Sequence, residues 1–360
     1  MHNGAESVGN SNTPVCSSCP KNRGFTIVEL LVVIVVIGIL AAITIVSYTG
    51  ISQRATVASI QSDLNNASNI FKLDQVTGSA YPADLASANG NKGIASCTGT
   101  TTCIYAVNNS LTPQGFCLAV TKNLTTYRIT NDSSPTAGDC QSYGLQISLD
   151  AGNTTSYSSP FNGTVWNDLS GNGRNGLLAN GVGFSSVNGG SLSFDGINDY
   201  VNAGNLGSFY AQGTISFWMN ATVVENYRNP FTTNYNGGNT GIRFEENASG
   251  TFGVVVGNDA GTYSGGNYIP SGMLANTWYY VTLVWDKSAN NIKGYLNGVS
   301  KFDQSQTLWP TTLPAITVGE GFNTARYWLG MVSEVMIFNR ALPVAEVLQN
   351  YNSIKDRYGL

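Results

Sequence analysis

The sequence predicts two architectures in one chain: a long N-terminal helix packed on a small antiparallel sheet, α+β in class, followed by an all-β sandwich. Three observations predict this. From Phe25 to Tyr48 runs an apolar stretch of 24 residues whose one charge is Glu29, and an apolar stripe at helical spacing continues past it to Phe71. Beyond about residue 143, short apolar runs alternate with turn clusters, with no helical pattern between them. The composition changes at the same place. All six tryptophans (Trp166, Trp218, Trp278, Trp285, Trp309, Trp328) follow it and all six cysteines precede it.

The apolar stretch comes first. About 20 apolar residues span the hydrocarbon of a bilayer as a helix, and Lys21 and Arg23 just before it keep the short N-terminal flank cytoplasmic and send the rest outward. A glutamate inside such a run costs roughly 2.5–3.5 kcal/mol on insertion scales, so Glu29 asks for a partner charge. Residues 21–30, KNRGFTIVEL, resemble the class III signal of type IV pilins and pseudopilins. The resemblance implies that a prepilin peptidase cuts after Gly24 and that Phe25 becomes a methylated N-terminus. It further implies that Glu29 pairs with the N-terminal amine of a neighbouring subunit when the chain leaves the inner membrane for a filament. A buried charge pair of this kind sets register. The competing reading is an ordinary single-pass anchor with a stray glutamate. Many family members have a kinking proline where this chain has Val46, so a straighter helix is expected.

The boundaries expected are a leader over 1–24, a helix over 25–78 with its membrane part at about 25–48, a small head over 79–142 and the sandwich over 143–360. In the exported half of the helix, Val57, Ile60, Leu64, Ala67 and Phe71 form the apolar stripe, with Gln53, Arg54, Ser62, Asp63 and Asn66 opposite. Gly78 and Tyr81-Pro82 end it. Runs at 103–107, 116–121 and 125–130 are the strands of the head. That head is too small to bury a large core by its sheet alone, so it needs the helix and disulfides worth roughly 2–4 kcal/mol each. Cys97, Cys103, Cys117 and Cys140 allow three pairings. Local spacing and similar loops in pilins favour Cys97–Cys103 with Cys117–Cys140.

In the second half, runs at 191–194, 214–219, 241–244, 252–256, 278–285, 292–296, 315–318 and 330–338 read as strands, and Asn297-Gly298 as a two-residue hairpin turn. A short helix is expected over 343–351, with Val344, Val347, Leu348 and Tyr351 on one face. The stretches WNDLSGNG (166–173), SLSFDGINDYV (191–201), TISFW (214–218), TWYYV (277–281), GYLNG (294–298) and FNRAL (338–342) resemble laminin-G-like, concanavalin A-like jelly rolls in that order. The resemblance implies recognition of carbohydrate or surface protein at rim loops or on a sheet face. It also implies an optional calcium ion, for which Asp195, Asn198 and Asp199 form the richest oxygen cluster. The last strand departs from the family, with Ser333 before Glu334 where Asp is usual. Trp309, Tyr227, Tyr235 and Tyr263 sit in loop-like contexts suited to stacking on sugars, whereas Trp218, Trp278 and Trp285 read as core.

Several chemistries are excluded or weakened. His2 is the one histidine and lies in the leader, so a processed chain has none for triad catalysis or zinc ligation. Cys16 and Cys19 form a lone CxxC without the second pair a zinc site needs. Gly171 to Gly176 spells GxGxxG, but no helix can follow before Gly181, so turn glycines explain it. A net charge of −4 gives no basic face for nucleic acid. Glycoside hydrolysis needs two opposed carboxylates; Glu245, Glu246 and Glu320 are the candidates, without the spaced acidic signature of jelly-roll glycosidases.

The sequence therefore predicts a non-enzymatic pilus or pseudopilus subunit. It is anchored in the inner membrane before assembly and then carried to the cell surface, where it displays a laminin-G-like domain for adhesion and requires no cofactor. The alternatives are a membrane-anchored glycan hydrolase that uses the pilin signal for export, or a minor pseudopilin of a type II secretion or competence system.

Overall fold

A computed structural model describes residues 26–97, 101–109, 113–157, 163–233, 240–247, 249–321 and 326–360. Gly24, Phe25, Cys16, Cys19 and Tyr235 lie outside the described residues. The chain divides into two compact units, Met1–Thr56 and Val57–Leu360.

The helix Ile27–Gly78 runs 52 residues through both. In the first unit, the window Ile27–Thr44 is long and apolar enough to cross a membrane by length and composition. The Glu29 carboxylate accepts from the Thr26 amide and from the Thr26 hydroxyl, each at 2.8 Å, while the Glu29 amide donates to Thr26 Oγ1 at 3.2 Å. This reciprocal pair is a capping box, which satisfies donors that every helix start leaves open.

In the second unit, Ile60, Leu64, Ala67 and Phe71 are buried and Val57 is half-buried, as the stripe predicts. They pack on Phe116, Leu118, Val120 and Ile129 of a sheet ordered Thr102–Asn108, Gly115–Lys122, Thr125–Thr130, Thr136–Ala137. The three predicted strands are present, and Thr136–Ala137 adds a fourth from what reads in sequence as a loop. Gly78 is the last helical residue, and the left-handed position that ends the helix is Ser79 (φ 64°). Cys97–Cys103 and Cys117–Cys140 are bonded, the pairing that local spacing favours.

Among the described residues the sandwich has two large sheets. One runs Tyr263–Ile269, Thr251–Gly257, Gly241–Asn247, Arg228–Thr232, Thr317–Val318, Tyr200–Asn202, Gly176–Ala179, Val165–Trp166. The other runs Val299–Ser305, Asn291–Leu296, Trp278–Asp286, Gln212–Ala221, Leu329–Phe338, Ser191–Asp195, Gly183–Ser185, with Leu145–Asp150 also paired to Leu329–Phe338. Between them lies one core. Alternation along each strand supplies it: Phe217 stacks on Phe231 at 5.7 Å and meets Phe244 edge-on at 4.8 Å. The predicted run at 315–318 shortens to Thr317–Val318.

The outer face of the second sheet is covered by the C-terminal helix Val344–Ile354 and the turn Lys355–Tyr358. Tyr358 stacks on Trp218 at 4.1 Å. So Trp285 belongs to the main core, whereas Trp218 and Trp278 are buried on the opposite face, under the chain terminus. Trp309 departs from its expectation as a loop aromatic: it is buried against Phe209 in the main core.

The sequence boundary at 142/143 is not a boundary between compact units, since head and sandwich fall in the same one. Side chains that sequence cannot pair explain the join. Arg340, fully buried, donates to the carbonyls of Tyr143 (2.6 Å) and Cys140 (3.4 Å) and is bonded twice to Glu346. Asn108 Nδ2 donates to the Asn339 carbonyl at 2.5 Å.

Candidate functional site

The strand Gly241–Asn247 alternates in a way that builds a site. Ile242 and Phe244 point into the core, so Arg243 and Glu245 must point to the other face of the sheet. Register extends that face into a row across six strands: Asn202, Thr317, Thr232, Arg243, Val255, Gly265. The neighbouring row holds Glu245, Gly253 and Asn267, and the row on the other side holds Gly241, Gly257 and Tyr263. Glycines stand at 253, 257 and 265 in these rows, beside Val255 and Asn267, and Asn267 Oδ1 lies 2.7 Å from where a Cβ on Gly253 would stand.

The polar centre is an ion triad. Arg243 Nε donates to Glu245 Oε2 at 3.1 Å, and Arg326 Nη1 bonds the same oxygen. Each guanidinium has an aromatic ring beside it: Tyr227 lies 4.5 Å from Arg326 and Tyr263 lies 5.5 Å from Arg243, within cation–π range. Both rings are half exposed, at 49% and 53%. Burial pulls the Arg243 guanidinium down from its ordinary value, and the neighbouring Arg326 charge adds to this against the pull of Glu245.

Tyr227 has φ 63°, a left-handed conformation that is an outlier for a bulky residue. Its amide donates to the Glu246 carbonyl at 2.7 Å, which holds the strained backbone in place. Such strain persists where surrounding bonds over-determine it, and clusters at functional positions.

Glu246 is the next residue on the strand and faces the opposite way. It is fully buried, and desolvation pushes its carboxyl up to about 8. Glu320 is also buried, in the turn after Thr317–Val318, and burial raises its carboxyl as well. A glycosidase pair must flank one bond from one cleft, about 5–10 Å apart. Consecutive residues of a strand cannot do that, so Glu245 and Glu246 do not form such a pair.

Asp195, Asn198 and Asp199 do come together in one turn. There the Asp195 carboxylate takes the amides of Ile197 (2.8 Å) and Asn198 (3.3 Å), and Asp199 Oδ2 takes the Asp195 amide at 3.0 Å. These bonds are those of a turn that closes on itself. Among the described residues no group of three or more His, Cys, Asp or Glu side chains gathers as a metal site. Gly171 and Gly173 take left-handed turn conformations, and a strand, Gly176–Ala179, follows them. Sequence reasoning singled out Tyr227, Tyr263 and Glu245, which the structure brings together. It missed Arg243, although the alternation Ile-Arg-Phe-Glu carries that signal, and Arg326, for which no local pattern exists.

Residues 19–45 match the prokaryotic N-terminal methylation motif, and residues 195–348 match the concanavalin A-like lectin/glucanases superfamily. The N-terminal part is similar to type II secretion system core protein G of Escherichia coli (strain K12), 42% identical over 57 residues, which covers 15% of this chain and 39% of that protein. The Klebsiella pneumoniae counterpart is 37% identical over 65 residues, 17% of this chain and 44% of that protein. The chain thus spans less than half the length of either curated relative. Among solved structures, the receptor binding domain of botulinum neurotoxin D is similar with a TM-score of 0.47 at 16% identity, covering 59% of this chain and 53% of that one. The binding domain of Paraclostridial Mosquitocidal Protein 1 gives 0.46 at 19%, with the same coverage. Likenesses this distant do not bear on function.

Proposed function

We propose that the chain is a subunit of a type IV pilus or a related pseudopilus that displays its sandwich as a carbohydrate-binding module for adhesion. The methylation motif over residues 19–45 and the apolar window Ile27–Thr44 support the first half. On this reading a prepilin peptidase cuts after Gly24 and methylated Phe25 begins the mature chain. Glu29 then exchanges its Thr26 bonds for the N-terminal amine of a neighbouring subunit. The lectin-like family match supports the second half. The observation that carries it is the pair of half-exposed tyrosines, one of them held in a strained backbone, each beside a guanidinium, that of Arg243 buried and that of Arg326 partly so. Aromatic faces stack on sugar rings, and fixed polar groups beside them orient the hydroxyls. Catalysis has no comparable observation in its favour.

The second reading is a minor pseudopilin, favoured by bulk: a 218-residue addition to every subunit leaves little lateral room around a filament. Electron microscopy with an antibody against residues 143–360 tests both. Label on surface filaments is expected, along the shaft for a major subunit or at the tip for a minor one. Label on the membrane alone, with native protein still beginning at Met1, would sink the filament reading.

A further inference from the structure

The open edge of the head sheet faces a cleft. In antiparallel pairing, alternate residues turn their main-chain N–H and C=O to one neighbour and the rest turn theirs the other way. Two bonds fix the phase in Thr125–Thr130: the Thr126 carbonyl accepts from the Gly138 amide at 3.1 Å and the Thr130 amide donates to Ser133 Oγ at 2.9 Å, both away from Gly115–Lys122. Through the register, Thr125, Tyr127 and Ile129 then bond Lys122, Val120 and Leu118, while Thr121, Ala119 and Cys117 bond Thr102, Ile104 and Ala106. That leaves the main-chain groups of Cys103, Tyr105 and Val107 pointing out of the sheet, with no partner among the described residues. These three, with Ile104 and Ala106 between them, line a cavity of about 1050 Å³ whose far wall includes Val284, Leu342 and Val344. Consecutive side chains point to opposite faces, so five in a row reach one cavity only where the strand's edge is its wall. Four charged residues also line it, and two of them are matched: Lys293 by Asp303 at 3.0 Å and Glu346 by Arg340. Asp84 accepts the Ser87 amide, and Asp286 accepts Gln212 Nε2 and the Ala289 amide, with no cation beside either. The cleft is therefore acidic.

We propose that this cleft takes an extended, basic segment of a different polypeptide, which adds to Thr102–Asn108 as a further strand of the head sheet. A row of unpaired N–H and C=O groups is a template for another chain. Strand addition draws affinity from main-chain bonds and specificity from alternate side chains. Here the guest's apolar side chains meet Val284 and Leu342, and its Lys or Arg side chains neutralise Asp84 and Asp286. A second copy is the poorer guest, because the chain carries a net charge of −4 and would bring like charge to an acidic cleft. The contact belongs to the head and does not rest on the carbohydrate reading.

The test titrates the full chain in detergent into a fluorescent probe peptide of sequence TVKVKVT, blocked at both ends, and reads its anisotropy. Two further probes are N-methylated at alternate residues, one on each set, so that every side chain stays while one edge loses its donors. One of them should bind about tenfold or more weakly, from the loss of several main-chain bonds, and the other close to the parent. TVEVEVT should also bind about tenfold or more weakly, with the difference shrinking in salt. On the protein side, Val107→Pro removes one outward N–H at a sheet edge, where proline is tolerated, and should weaken the parent probe. Asp286→Asn should narrow the gap between the lysine and glutamate probes. Unfolding temperatures of both variants separate lost folding from lost recognition. No binding of the parent probe overturns the proposal, as does equal binding of the two N-methylated probes. Binding that folded Val107→Pro and Asp286→Asn proteins leave unchanged also overturns it. Self-association of the full chain that Val107→Pro abolishes would give the cleft to a second copy, against the proposal.

Discussion

At the scale of single residues, burial decides what a carboxylate can do. Glu334 is the partner of Asp150 across two strands and sits under the C-terminal turn, where Tyr358 bonds Ser333 and Arg357 is held by Asp150 at 2.8 and 3.0 Å. Burial first, then repulsion from Asp150, pushes its carboxyl up to about 8, against the pull of Arg357. A carboxyl whose folded pKa is raised is protonated in the fold and ionised in the unfolded chain between the two values. Its stabilising share is therefore complete below about 4.5 and declines as pH rises toward 8. The slope is at most about 1.4 kcal/mol per pH unit for one group. Glu334→Gln should flatten the fall in unfolding temperature between pH 5 and pH 8, and slope left over is shared by the other carboxyls raised in the same direction, Glu246, Glu320 and Asp199. Parallel curves for the two proteins would show that Glu334 ionises in the fold as it does in water. Nothing in the sequence signals this burial, because what covers Glu334 is the C-terminal turn, distant in the chain.

Among the elements, those legible in sequence are the ones whose stability comes from a repeating apolar face. The helix stripe is right to the residue at Ile60, Leu64, Ala67 and Phe71, and the long strands Gln212–Ala221, Trp278–Asp286 and Leu329–Phe338 follow from their apolar runs. The strands missed are short or polar. Val299–Ser305 reads VSKFDQS and lies at a sheet edge, where only one side must be covered; Arg228–Thr232 contains a proline; Tyr263–Ile269 contains two glycines. Their pairing comes from neighbours distant in sequence, so local pattern cannot show it. The stripe also makes a quantitative claim. Phe71 is fully buried, its ring 4.8 Å from Tyr105 and 5.1 Å from Phe116. Phe71→Ala should cost about 3–5 kcal/mol of head stability, read as earlier unfolding in urea of the full chain in detergent. Loss of less than 1 kcal/mol would mean that the disulfides, not the helix, hold the head together.

For the molecule as a whole, the question is how a small head carries a sandwich several times its size within one compact unit. The join that the structure provides is polar and buried. Arg340 sits in FNRAL, a stretch legible in sequence as part of the sandwich, yet its guanidinium reaches back to the carbonyls of Cys140 and Tyr143 and to Glu346 of the C-terminal helix. Its ring neighbours are Tyr143, the first residue past the predicted boundary, and Phe338 of the last long strand. A buried pair is weak evidence for net stability, but removing one partner leaves the other charge stranded, at a cost of about 3–5 kcal/mol. Arg340→Ala should therefore loosen the join while each part keeps its own core. The measurement is limited proteolysis: cleavage near residues 141–145 should appear in the variant, with the sandwich released as a folded fragment. Arg340→Lys should not restore resistance, because an ammonium cannot span two carbonyls and a carboxylate as a planar fork does. Full resistance in both variants would place the join in the Asn108–Asn339 bond and apolar packing.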